Sequence, residues 1–589
     1  MTRAGALVAT LALAATAVNA PAQADTDHRQ DGRKHGWITS TIQQMTIEEK
    51  VGQLFSTHVY GNTVDSQDPA NVQEFGLATP REIIERYHLG GILYFAWTHS
   101  VDDPVQAAGL SNGIQDVMST TGAGIPGMIS IDQEGGLVAR LLEPATQTPG
   151  NMALGATRDV QGARDLAAIQ GKELAAIGVT QNFAPVADVN INPANPVIGV
   201  RSFSSDPQLT ASLTAAQVRG YEDDAGISAA AKHFPGHGDT DVDSHYGFPV
   251  INHTREEWET IDRPPFQAAI DAGIDVIMTA HIQVPALDDS GDPATLSKPI
   301  LTGVLRGEMG YDGVIVTDSL GMAGVREKYG DARVPVLALK AGVDILLNPP
   351  DMAAAYNGVL DAVRSGELTE NRIDESLYRI LDLKWDNGVI QDPMVDESQV
   401  MDVVGIDAHL ARAQEVTDEV PTVVKNNEGT LPLGDEVDDV LVTGYGVATK
   451  QTLADDLAER GLSTRIATTG TNPSASQISA AAAAAEDADA AVVLTMNSAD
   501  YARQAQLVEA LEATGTPVVV VAVRNPYDIS EFASAPTFMA TYSYKAVALE
   551  SLTKVLLGEV SPEGKLPVDI PAKDDPSSIL FPFGTGLTW

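Results

Sequence analysis

The chain contains no cysteine in its 589 residues. Disulfides, thiolate metal sites, cysteine nucleophiles and a lipid-modified N-terminal cysteine are therefore excluded. Basic residues are outnumbered: 37 Lys and Arg stand against 80 Asp and Glu, a net charge of −43. Phosphate backbones need a surface of the opposite sign, which argues against a nucleic-acid partner. Lysine is especially scarce, 14 of the 37. A carboxylate-rich, lysine-poor surface suits a saline medium, although a GC-rich genome gives the same bias. After the N-terminus no segment approaches eighteen uninterrupted apolar residues, so no membrane span is expected. With 44% hydrophobic residues the chain is no acidic disordered tail and can bury a large core.

What the N-terminus does have reads as a leader. Arg3 supplies a positive start, Gly5 to Val18 is apolar or small, and Ala22-Gln-Ala24 fits the small-residue cleavage rule. A signal peptide over 1–24 is expected, with Asp25 the first mature residue and the protein secreted, extracellular or at the cell wall.

From about residue 40, short apolar runs alternate with helix-length segments. Thr46-Ile-Glu-Glu49 forms a capping box that predicts a helix through Val51, Leu54 and Phe55. Runs such as Gly91–Phe95, Gly127–Ile131, Asn182–Val186, Ile227–Ala231, Val276–Thr279, Gly313–Thr317 and Gly342–Leu347 read as strands of a helix-covered parallel sheet. Seven or eight such units predict an α/β fold: a (β/α)8-type barrel over 25–390. Residues 391–436 read as a linker, with Pro393, Pro421 and Pro432 and one helical stretch around Ala408–Asp418. A second set of apolar runs, at Val440–Thr443, Ala490–Thr495, Pro517–Val523 and Thr537–Thr541, predicts a smaller open-sheet α/β sandwich domain over 437–589.

Polar residues follow each expected barrel strand: Asp132 and Glu134, Asp188, Lys232 and His233, His281, Asp318 and Asn348. In barrels of this kind the active site lies at that end of the strands. The densest cluster is Lys232-His-Phe-Pro-Gly-His-Gly-Asp-Thr-Asp-Val-Asp-Ser-His245, a Gly- and Pro-containing loop. Asp239, Asp241 and Asp243 imitate half of a calcium loop, but Ser244 and Val250 occupy its glycine and glutamate positions. His233, His237 and His245 lack the helical spacing of a zinc motif, so neither metal nor cofactor is expected. Asp243-Ser-His245 instead suits acid–base work: a carboxylate orients an imidazole whose ordinary pKa of about 6.5 lets it give and take a proton, worth roughly 10²–10⁴ in rate. Asp318, just past an apolar strand, is a candidate carboxylate nucleophile.

These motifs resemble glycoside hydrolase family 3, in its β-N-acetylhexosaminidase branch and long two-domain form. The histidine loop carries most of the likeness. Ile131-Asp-Gln-Glu-Gly-Gly136, Arg201-Ser-Phe203, Thr279-Ala-His281 and Val316-Thr-Asp-Ser-Leu-Gly-Met322 extend it through the barrel. Val521-Ala-Val-Arg-Asn-Pro-Tyr527 and Gly558–Pro567 extend it into the second domain. The resemblance implies a retaining mechanism in which Asp318 attacks the anomeric carbon while His245, supported by Asp243, protonates the leaving oxygen. It also implies that Asp132 binds hydroxyls of the terminal sugar, that Arg140 holds Asp132, and that Arg201, Lys232 and His233 fix other sugar oxygens. The expected substrate is an amino-sugar oligosaccharide, cut by a monomer that releases terminal N-acetylglucosamine. A related family 3 glycosidase, an N-acetylglucosaminide phosphorylase and a metal-dependent hydrolase are the rival readings. Leu137 stands where an Arg often follows Gly-Gly, and Ser204 where a Gly usually follows Ser-Phe.

Overall fold

The computed structural model describes residues 22–243, 247 and 249–589. The expected leader lies outside these residues except for Ala22–Ala24, which open a helix, Ala22–Gln44. Eight parallel strands form the first sheet: β1 (Phe55–Thr57), β2 (Gly91–Tyr94), β3 (Met128–Ile131), β4 (Gln181–Asn182), β5 (Ser228–Phe234), β6 (Val276–Thr279), β7 (Val314–Thr317) and β8 (Leu346–Leu347). They pair in sequence order from β1 to β7, with β8 against β1. A parallel bridge between Val316 and Ile345 closes the ring. Each strand is buried along its whole length, which is why these segments read as continuous apolar runs and not as alternating ones.

The capping box at Thr46 forms with both of its hydrogen bonds, but the helix it opens ends at Gly52. Phe55 belongs to β1, a strand hidden in the sequence behind the helical periodicity. Gly52 marks the change. A Cβ there would lie 2.1 Å from the Tyr87 carbonyl oxygen, so the chain needs glycine to pass this close to its neighbour. Strand β5 also runs further than expected, through Lys232 and His233 to Phe234. The helix-length segment between β5 and β6 holds two helices, Arg255–Thr260 and Arg263–Asp271, with Pro264 and Pro265 opening the second.

The second sheet has six strands in the order β11-β10-β12-β13-β14-β9. These are β9 (Thr422–Asn426), β10 (Asp439–Gly444), β11 (Ser463–Ile466), β12 (Ala490–Thr495), β13 (Val518–Ala522) and β14 (Thr537–Ala540). Its strands sort their side chains between two layers. Val518, Val520 and Ala522 join one core, and Val519, Val521 and Val523 the other. The first of these cores also takes in Met152, Ala153 and Val200 from the barrel, so the domains share apolar packing. Strand β9 corrects the linker reading: Thr422–Asn426 pairs antiparallel with β14 as an edge of the second sheet. Its short apolar core, Val423-Val424, sits among prolines and charges that disguise it.

Candidate active site

A cleft of about 700 Å³ opens at the C-terminal ends of the barrel strands. Asp132 and Glu134 follow β3, Lys232 and His233 end β5, and Asp318 follows β7; all five line the cleft together with Arg140 and Arg201. The strand-end regularity of the sequence thus converges on one place. Phe95 and Trp97, stacked 4.8 Å apart, form part of its rim, and Trp97 is 54% exposed.

Charges in the cleft are organised around Glu134. Lys232 Nζ lies 2.8 Å from its Oε1 and 2.7 Å from Asp132 Oδ1. Arg201 grips the same carboxylate with two bonds, Nη2 to Oε1 at 2.8 Å and Nε to Oε2 at 2.9 Å. Burial of Glu134 opposes ionisation, but Arg201 and Lys232 more than offset it and hold the carboxyl well below the usual range. The cations respond in kind. Burial alone would lower Lys232, yet Asp132 and Glu134 raise it; burial likewise opposes Arg201, which Glu134 raises.

Asp188, fully buried past β4, anchors the histidine loop. Its Oδ1 accepts the backbone N–H groups of His233 and His237 at 3.1 and 2.8 Å, and its Oδ2 accepts from His233 Nδ1 at 2.7 Å. That bond leaves His233 Nε2 free to accept from Arg201 Nη2, 3.4 Å away. His237 is buried beside it, and burial pushes its imidazole down to about 4. Close approach again selects glycine: a Cβ on Gly238 would fall 1.8 Å from the Val189 carbonyl oxygen.

Asp318 accepts the Ser319 N–H at Oδ1, 2.7 Å away. Burial works against its charge, but His233, His281 and the Ser319 amide outweigh this and lower its pKa. His281 itself donates from Nε2 to the Ser319 carbonyl at 2.9 Å and meets Thr295 Oγ1 through Nδ1 at 2.8 Å. The result is an ionised carboxylate held in place at the cleft floor.

One expectation changes. Arg140 does not hold Asp132; among the described residues that carboxylate is paired with Lys232. Arg140 instead lies over the Phe95 ring, 5.7 Å from its centre, where its guanidinium is drawn to the aromatic face. Asp243 is half-buried on the loop, outside the cleft lining, and its carbonyl accepts from Gly247 N at 3.1 Å. His245 lies outside the described residues. Glu134 and Asp188, noted in the sequence only as strand-end acids, prove to be the centres of the two networks. Their signal was present: each lies just past a strand, among glycines or prolines.

A closed parallel barrel with an ionised carboxylate and a charged cleft at its strand ends is the architecture of a β/α-barrel enzyme. Residues 46–383 match the model of the glycosyl hydrolase family 3 N terminal domain, and residues 421–589 that of the family 3 C-terminal domain. The chain belongs to glycosyl hydrolase family 3. It is 34% identical to beta-hexosaminidase A of Pseudoalteromonas piscicida, over 83% of this chain and 90% of that protein. With the beta-N-acetylglucosaminidase/beta-glucosidase of Cellulomonas fimi it shares 29%, over 90% and 95%. The solved family 3 beta-N-acetylglucosaminidase of Paenibacillus sp. str. FPU-7 superposes with a TM-score of 0.82 at 36% identity, covering 89% of this chain and 99% of that one.

Proposed function

We propose that the protein is a retaining exo-β-N-acetylhexosaminidase, exported by its leader, that removes terminal N-acetylglucosamine from cell-wall fragments or chitin-like oligosaccharides. The observation that carries this reading is Asp318, an ionised carboxylate facing Lys232, Asp132, Glu134 and Arg201 across a cleft of sugar dimensions. Asp132, whose second oxygen is not taken by Lys232, accepts hydroxyl hydrogens of the terminal sugar. Lys232 and Arg201 donate to its oxygens, with His233 holding the Arg201 guanidinium in place. Asp318 attacks the anomeric carbon and forms a glycosyl-enzyme, while His245, oriented by Asp243, protonates the leaving oxygen and then deprotonates water. The beta-hexosaminidase and beta-N-acetylglucosaminidase names of the relatives support the choice of sugar.

A panel of nitrophenyl N-acetylglucosaminide, glucoside and N-acetylgalactosaminide tests the specificity, with fastest turnover expected on the first. Asp318→Ala is expected to lose at least about 10³-fold in kcat. His245→Ala is expected to lose far less on the nitrophenyl substrate than on a natural disaccharide, because an activated leaving group needs little protonation. Equal losses on both would remove the acid assignment.

A further inference from the structure

A second cavity, of about 290 Å³, lies where the two domains meet. On the barrel side it is walled by the segment Pro193–Gly199 after β4. On the other side it is lined by the loops that follow β12 and β13, including Asn497, Arg524, Asn525 and Asp528. In open parallel sheets, the crevice outside the carboxyl ends of the strands is where ligands bind, next to the point where strand order reverses. The cavity lies past the carboxyl ends of β12 and β13, one strand along from the β10–β12 pair at which the order reverses.

Several polar atoms around it have no partner among the described residues. Asp528 is 3% exposed; its Oδ1 accepts Ser498 N at 2.7 Å, whereas Oδ2 has no partner. Asn525 Oδ1 and Arg524 Nε are buried and equally unpartnered among the described residues. A buried polar atom without a partner costs free energy, and three of them on residues lining one cavity call for a ligand that supplies both donors and acceptors. Burial pushes the Asp528 carboxyl up to about 6, a value that an incoming hydroxyl donor would lower. Asn497 holds a left-handed backbone, φ 52°, at the cavity edge, a conformation that asparagine tolerates better than most residues.

Charge selects the ligand class. Arg524 disfavours a cation, and Asp528 and Asp500 disfavour an anion. A neutral molecule bearing several hydroxyls satisfies carboxylate, amide and guanidinium together, and Pro193, Pro196 and Ile198 offer an apolar wall to its C–H face. We propose that this inter-domain cavity is a saccharide-binding site taking one hydroxyl-rich sugar ring, from the leaving-group end of an oligosaccharide or from a free monosaccharide. The wall segment ties the site to the catalytic cleft. Asn195 Nδ2 donates to the His237 carbonyl at 2.9 Å, and Arg201 Nη1 donates to the Val197 carbonyl at 3.3 Å. Only the choice of N-acetylglucosamine as the sugar rests on the function proposed above.

Full-length Arg524→Met, Asn525→Ala and Asp528→Asn proteins, each checked for an unchanged thermal midpoint, test the site on two substrates. If the ring comes from an oligosaccharide, KM for chitotetraose rises about ten-fold, the cost of one lost charged hydrogen bond, while nitrophenyl N-acetylglucosaminide kinetics stay within about two-fold. If it comes from free sugar, N-acetylglucosamine inhibits the native enzyme with a noncompetitive component that disappears in the variants. Variants that alter neither readout overturn the proposal. Should the native enzyme turn over another nitrophenyl glycoside of the panel instead, the functional reading fails, and the same two tests are run with that sugar.

Discussion

Glu134 holds the cleft's two strongest cations on one carboxylate, so its charge is the residue-scale feature on which the site depends. Glu134→Gln keeps the shape and one acceptor oxygen but leaves Lys232 and Arg201 facing a neutral amide. Breaking a buried ion pair from one side typically costs about 3–5 kcal/mol, more than a protein can absorb unnoticed. The variant is expected to melt several degrees lower and to lose at least about ten-fold in kcat/KM, read by calorimetry and by turnover of nitrophenyl N-acetylglucosaminide. The strand-end carboxylates were legible in the sequence because a barrel's connectivity puts every such position on one rim. Which acid pairs with which cation was not legible. Lys232 reaches Asp132 and Glu134 across 100 and 98 residues of chain, and that choice is made by strand order and stagger alone.

At the scale of elements, the histidine loop is fastened at its base. His253 places Nδ1 2.7 Å from Asp262 Oδ2, next to the helix Arg263–Asp271, and Nε2 3.0 Å from Asp239 Oδ2 on the loop itself. Both ring nitrogens face carboxylates, so the imidazole is held protonated and its pKa rises to about 10. Since the folded value lies above that of a free imidazole, about 6.5, this stabilisation is complete below pH 6.5 and is lost as pH rises through about 10. The midpoint difference between the native protein and His253→Gln is therefore expected to be large at pH 6 and to shrink toward pH 10.

Lys384, in the helix Glu370–Asp386, behaves in the opposite sense. It is fully buried, its hydrogen-bond partner among the described residues being Gln53 Oε1 at 2.9 Å, and burial lowers its pKa to about 7. Its free value is about 10.4, so the unfolded chain binds the proton more tightly and stability rises with pH between 7 and 10. Lys384→Met is expected to stabilise the protein by on the order of 2 kcal/mol at pH 6, less at pH 10, in urea titrations.

For the whole molecule, the charge of −43 and the junction between domains matter most. Self-repulsion on such a surface is screened by salt, so the melting midpoint is expected to climb with sodium chloride up to molar concentration. A midpoint highest in low salt would count against a saline setting. The junction explains both places where the sequence departs from its family's pattern. Ser204 donates from Oγ to the Pro567 carbonyl at 2.5 Å, and Leu137 packs against the core shared with the second sheet. Arg158 closes the same seam, donating to the carbonyls of Lys565 and Leu566 at 3.1 Å. By itself the sequence determined the alternation of strand and helix, the barrel, the second sheet and the rim of polar residues, because periodicity and burial are local properties of a chain. It disguised the short edge strands β9 and β11; β9 pairs with β14, more than a hundred residues further along the chain, and β11 is exposed along much of its length. The pairing of Glu134, the loss of Arg140 from Asp132 to the face of Phe95, and the cavity between the domains were decided only by tertiary structure. Each depends on distances between segments that no local pattern encodes.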